Sequence, residues 1–260
     1  MTIADGGEYA VRTREPRTMD ASRRAFLAGL AATGIAAAVP ALAADNRRRV
    51  ATGEAPHYFW LTLAEAAFLT AFVDELIPAD DFPSASEAGV VEFIDLQLAT
   101  GYGAGERMYM DGPHERGTES QGYQLGLTPA QLYREAIRGI EASLEGASFA
   151  TLAPAARQEL LRALEAGERD AGAVPGKRFF TEIRQNTIEG YFADPVYGGN
   201  RDAVGWEMVG FPGAHAYYLT EVDRHNMAYE RKPTGIAYRP GSGSPVPVSV
   251  TLARSRAREE

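Results

Sequence analysis

The sequence predicts a mainly α-helical protein: a single helical domain with long irregular loops, following an N-terminal export signal. Three observations carry this. Apolar residues recur at i, i+3, i+4 and i+7 in several windows. Hydroxyl side chains or prolines stand where those windows begin. No useful length alternates apolar and polar residues with the period of two that a half-buried strand requires.

Composition narrows the function before any motif is read. The chain has 260 residues, 26 Lys plus Arg against 35 Asp plus Glu, a net charge of -9 and a hydrophobic fraction of 45%. That length and that fraction are enough for a substantial core. With no cysteine there is no disulfide framework, iron–sulfur cluster, thiol nucleophile or covalently attached c-type haem. A sequence pI near 5.1 argues against nucleic acid, which needs a concentrated basic face. No apolar run reaches the ~20 residues of a spanning helix.

Residues 1–43 have the order of a twin-arginine signal peptide. Ser22-Arg23-Arg24-Ala25-Phe26-Leu27 supplies the paired arginines, followed by the uncharged, Ala- and Gly-rich stretch Ala25 to Val39. Pro40 breaks that stretch, and Ala41-Leu42-Ala43 offers the small residues of a cleavage site before Ala44. A charged region, a short apolar region and an A-x-A site are the parts of a secretory signal, and the arginine pair selects the twin-arginine translocase. Export to the periplasm is the expectation. That route moves folded proteins, usually with a cofactor already inserted.

The helices then follow in order. Thr62-Leu63-Ala64-Glu65 is a capping box, and Leu69, Phe72, Val73 and Leu76 form one apolar face before Pro78 ends the helix. Ser84-Ala85-Ser86-Glu87 repeats the device ahead of a stripe of Val90, Val91, Ile94 and Leu98. Thr128 and Pro129 open a third helix with Leu132, Ala136, Ile137 and Ile140 inward. Pro154 begins a fourth, through Leu160, Leu161 and Leu164 to Gly167. A fifth, from about Lys177 to Ile188, gathers Phe179, Phe180, Ile183 and Thr187. The helical domain is placed at 57–230. The Pro-, Gly-, Ser- and Arg-rich tail at 231–260 is expected to be extended or disordered, with one short strand at Val246 to Val250.

Two irregular regions carry aromatic and methionine side chains. Residues 101–127 contain Tyr102, Met108, Tyr109, Met110 and Tyr123; Tyr191 to Tyr229 contains Phe192, Tyr197, Trp206, Phe211, Tyr217 and Tyr218. Long loops within a domain tend to be functional, and Tyr and Met are enriched at protein interfaces. Closing the core over loops is the plainer role for any one of them.

Catalytic motifs are sparse. His57, His114, His215 and His225 form no i, i+4 pair on a helix, so no zinc face of the H-E-x-x-H kind arises. Asp80-Asp81 reads as a turn. Gly101-Tyr102-Gly103-Ala104-Gly105 follows a helix and opens none, unlike a dinucleotide loop. There is no G-x-S-x-G elbow and no Walker loop. An export route associated with cofactor proteins, in a chain without a cofactor motif, points to a cofactor-bearing partner.

One stretch is distinctive: Glu189-Gly190-Tyr191-Phe192-Ala193-Asp194-Pro195-Val196-Tyr197-Gly198-Gly199-Asn200-Arg201-Asp202, followed by Gly205-Trp206 and Gly210-Phe211-Pro212-Gly213-Ala214. Together with Ile77-Pro78-Ala79-Asp80-Asp81, Ala88-Gly89-Val90, Phe93-Ile94-Asp95, Gly112-Pro113 and Gly122-Tyr123-Gln124, it resembles the gluconate 2-dehydrogenase subunit 3 family over about residues 60–220. Ala153, where a hydroxyl cap is expected before Pro154, is a departure.

The resemblance implies a non-catalytic small subunit of a periplasmic, membrane-associated sugar or alcohol dehydrogenase complex. Its large subunit would be a glucose–methanol–choline-type flavoprotein with FAD, often with a multihaem cytochrome c carrying haem c. This chain would hold no cofactor and would aid maturation and twin-arginine export of the flavoprotein. Contacts to that partner are expected at Tyr102, Met108, Tyr109, Tyr123, Tyr197, Asn200, Arg201 and Trp206. Two other readings stay open: a stand-alone periplasmic metal-dependent enzyme built on His215, His225, Asp202 and Asp223, and a small-molecule binder using the aromatic cluster.

Overall fold

Six α-helices and three short 3-10 turns make up the regular structure of the computed structural model, which describes residues 56–115, 117, 118, 121, 124–213, 223, 225 and 232–236. The helices are α1 (Leu63–Leu76), α2 (Val90–Ala99), α3 (Pro129–Ala142), α4 (Pro154–Ala166), α5 (Gly176–Phe192) and α6 (Val204–Met208). Among the described residues there is no strand, only isolated bridges at Ala171–Val174 and Gly213–Thr234. The mainly α expectation therefore holds. The expected export residues Arg23, Arg24, Phe26 and Leu27, the cleavage residues Ala41, Ala43 and Ala44, and the strand at Val246 to Val250 lie outside the described residues.

Local chemistry sets most helix starts. At α1 the Thr62 hydroxyl accepts from the Glu65 amide, and the Glu65 carboxylate accepts from the Thr62 amide at 2.8 Å. Thr128 and Gln131 close the same reciprocal pair at α3, with Pro129 at the first helical position. Each box satisfies two of the N–H groups that a helix start leaves without partners. At α4 the cap is Ala153, which makes no side-chain hydrogen bond, as its sequence foretells.

The second helix differs from expectation. Ser84 and Glu87 do form their reciprocal bonds, but the turn they close does not run on into the helix. Gly89 adopts φ +86 and caps α2, which begins only at Val90. That left-handed conformation interrupts the turn and suits glycine. The fifth helix is also longer than expected, running on through Tyr191 and Phe192. α6 and the 3-10 turns beside it were not foreseen.

α5 is the axis of the fold and packs against every other helix. The core around it is aromatic. Phe68 and Phe72 of α1, Phe149 of a 3-10 turn and Phe179 of α5 are all fully buried. Phe68 and Phe149 meet at a tilt with centroids 4.8 Å apart, and Tyr133 meets Phe179 edge-on at 5.7 Å. Such tilted and edge contacts add to the area these rings bury.

Both ends of the described chain are pinned to this core. Before α1, Phe59, Trp60 and Leu61 donate their amides to the fully buried Asp95 carboxylate of α2 at 2.8, 2.9 and 2.8 Å. Near the other end, Thr234 donates to Pro212 and Ile236 donates to Asp194. Composition assigned these residues to the tail, yet 232–236 are tied back onto the helical domain.

Candidate functional site

The residues leaving α5 form a rigid corner, and its side chains are turned inward. Asn200, fully buried at φ 44, donates through Nδ2 to the Ala193 carbonyl and accepts through Oδ1 from the Gly205 amide, both at 2.8 Å. Its own amide reaches the Gly190 carbonyl at 2.7 Å. Gly199 passes so close to α5 that an added Cβ would lie 2.0 Å from the Gly190 oxygen. Asp194 starts the 3-10 turn Pro195–Tyr197 by accepting from the Val196 amide.

Arg201 ties this corner to α2. Its side chain is 13% exposed and donates to the Glu87 carbonyl at 2.9 Å and to Glu92, itself 15% exposed, at 3.2 Å. Trp206 of α6 donates its indole N–H to the Phe192 carbonyl at 2.6 Å and meets Phe211 edge-on. Asn200, Arg201 and Trp206 were expected at a partner interface. Asn200 and Trp206 hydrogen-bond within the chain, and Arg201 does so through Nη1 and Nη2 while its Nε is buried without a hydrogen-bond partner among the described residues. These side chains brace a corner with four left-handed residues, Gly198, Asn200, Asp202 and Ala203.

Three of the other expected contact residues line a common groove. Tyr102 and Met108 from the loop after α2, and Tyr197 from the corner, line one groove of about 740 Å³. Phe93 of α2 also lines it, and the charged groups on it are Glu106, Arg107 and Glu189. Tyr197 is 51% exposed. Tyr109, next to Met108 in the chain, is 82% exposed. Tyr123 lies outside the described residues.

Tyr102 connects the groove to the core. Its hydroxyl donates to Glu182 at 2.6 Å, and Arg178 holds the other oxygen of that carboxylate. Asn186 Nδ2 bridges the Tyr102 hydroxyl at 3.0 Å and the buried Tyr133 hydroxyl at 2.9 Å. Burial, then the hydrogen bond and charge of Glu182, push the Tyr102 hydroxyl far above its ordinary value, with Glu189 adding and Asn186 opposing. Burial does the same to Tyr133. Both therefore act as neutral hydrogen-bonding groups. Glu182 and Asn186 were missed in the sequence, although Asn186 stands on the apolar stripe of Phe179 and Ile183, which was a usable signal.

The remaining acidic and histidine candidates are only partly described. Asp80 accepts from the Phe82 amide at 2.8 Å, the side-chain turn expected of it. Among the described residues no three His, Asp or Glu side chains are placed to hold a metal ion, and His215 lies outside them.

Fold and groove together define a small α-helical protein whose outward chemistry is that of contact: tyrosine, methionine and carboxylate on a rigid frame. The chain belongs to the gluconate 2-dehydrogenase subunit 3 family, whose model matches residues 64–213, from α1 to just beyond α6. The family is an accessory subunit of a dehydrogenase complex, and association with other subunits follows from that. No curated protein and no solved structure matches.

Proposed function

We propose that this chain is the non-catalytic small subunit of a periplasmic, FAD-dependent sugar or alcohol dehydrogenase complex of the gluconate type. It accompanies a glucose–methanol–choline-type flavoprotein through maturation and carries it across by the twin-arginine route. FAD resides in the large subunit, and a multihaem cytochrome c takes the electrons at the membrane. The observation that carries this reading is the family match across all of the described helices. The signal residues Arg23, Arg24, Phe26, Leu27, Ala41, Ala43 and Ala44, in that sequence along the chain, support the export role.

The test is affinity capture of the tagged chain from the periplasmic and membrane fractions, followed by an absorbance scan. A large subunit with flavin bands should co-elute, and should vanish from the periplasm when Arg23 and Arg24 are both replaced by Lys. A colourless, partner-free protein overturns the reading. Stoichiometric metal with activity in the isolated chain would establish the stand-alone enzyme instead.

A further inference from the structure

We propose that the groove between the 100–108 loop and the corner after α5 receives a basic segment of the flavoprotein: an arginine or lysine flanked by an apolar side chain. This rests on the accessory-subunit reading and adds the partner's chemistry to it.

The groove's residues specify the occupant. Its aromatic and thioether surface comes from Phe93, Tyr102, Met108 and Tyr197. Aromatic rings and methionine on a rigid frame are the anchors that bind a partner side chain with little ordering cost. Its charge is uneven, two carboxylates, Glu106 and Glu189, against the single cation Arg107. The excess of one carboxylate gives the groove a weakly negative field, and Glu189 acts in that sense on the Tyr102 hydroxyl.

An approaching guanidinium or ammonium gains from that field and from tyrosine ring faces. A carboxylate would meet repulsion from both glutamates. The wall is also rigid, because Tyr102 is fixed through Glu182 and Asn186 to the core, while Tyr197 sits on a corner locked by Asn200. A preformed receptor of this kind suits a protruding basic loop.

The experiment uses the full chain co-expressed with its large subunit. Glu106→Lys combined with Glu189→Lys should lower recovery of the flavin-bearing subunit about ten-fold. It should also abolish the fall in recovery that added salt causes with the unaltered chain. Glu106→Gln with Glu189→Gln should give a smaller loss, and Glu159→Lys, on the exposed face of α4, none. A photo-cross-linking residue at Tyr197 should attach to a peptide of the large subunit that contains arginine or lysine.

Recovery at the unaltered level with the doubly reversed, folded chain overturns the groove assignment and leaves the accessory reading intact. Cross-links to an acidic peptide, or to the chain's own arginines near residues 254–258, overturn it equally. Absence of any flavoprotein with the unaltered chain strikes the accessory reading itself.

Discussion

Asp95 is a buried carboxylate whose two oxygens accept three consecutive amides, and among the described residues no basic side chain is paired with it. Replacing it by Asn keeps the shape and removes the charge. One oxygen can still take the Trp60 and Leu61 amides, but the new NH₂ group must face the Phe59 amide, donor against donor. The lost bond to a charged acceptor is worth about 1.5–3 kcal/mol, and the two surviving bonds weaken by about half a kcal/mol each. The loss is capped by release of the 56–61 segment, which would free its amides to water while exposing Leu61, now 7% exposed; burying such a side chain contributes about 1.5–3 kcal/mol. The expected destabilisation is therefore about 3 kcal/mol. Urea unfolding of the purified chain measures it, and hydrogen exchange at the amides of Phe59, Trp60 and Leu61 localises it. A variant within about 0.5 kcal/mol of the unaltered chain, with those amides still protected, would falsify the claim that Asp95 holds this segment.

Arg201→Glu places a second carboxylate beside Glu92 in a site where both partners are mostly buried. It should cost about 3–5 kcal/mol in the isolated chain, seen as a lowered Tm; a folded, equally stable variant that only loses its partner would make Arg201 an interface residue after all. Glu65 carries a pH dependence of known sign. Burial would raise its carboxyl, but the Thr62 amide, Arg134 and the Thr62 hydroxyl together hold it below the ordinary 4.5. Its contribution is complete above that value and fades as pH falls through the lower folded value. Glu65→Gln should flatten that acid-side decline in urea midpoint, and an unchanged profile would refute the assignment. On the basic side, Tyr58 and Tyr191 are pushed up to about 12, chiefly by burial and then by neighbouring carboxylates. Their neutral forms stabilise the fold below about 10 and that share is lost as pH rises towards 12. Tyrosinate absorbance should thus show a late-titrating fraction that vanishes in denaturant; a single transition for all 12 tyrosines near 10 would refute it.

What was legible in the sequence was what local chemistry decides. The Thr62 and Thr128 boxes and the Pro129 and Pro154 starts are complete within four residues, so reading them required no tertiary knowledge. The apolar stripes of α1, α3 and α5 then followed from period alone. The start of α2 was misread because the Ser84–Glu87 box is real. What ends its turn is the left-handed Gly89, and the preceding residue, Ala88, accepts the Arg201 amide from far along the chain. α6 escaped because a five-residue helix shows too little periodicity. The groove escaped because it is assembled from residues near 100, 189 and 197, and no pattern within one window joins them.

The same division explains why the most recognisable stretch of this sequence is built into the scaffold. Asp194, Gly199, Asn200 and Arg201 are specific residue types because the corner demands them. Asp194 must accept a local amide, Gly199 must admit the Gly190 carbonyl, Asn200 must satisfy two backbone groups at positive φ, and Arg201 must reach α2. Constraint of that kind makes a motif distinctive, and it consumes the side chains that produce it. Under the proposed docking, the side chains left for a partner in the groove are Tyr102, Met108, Tyr197 and the two glutamates, and the corner would serve binding by fixing where Tyr197 stands relative to Tyr102. Substitutions at Asn200 or Gly199 should therefore abolish partner recovery through loss of the fold, whereas reversing Glu106 and Glu189 together should lower it about ten-fold with the fold intact.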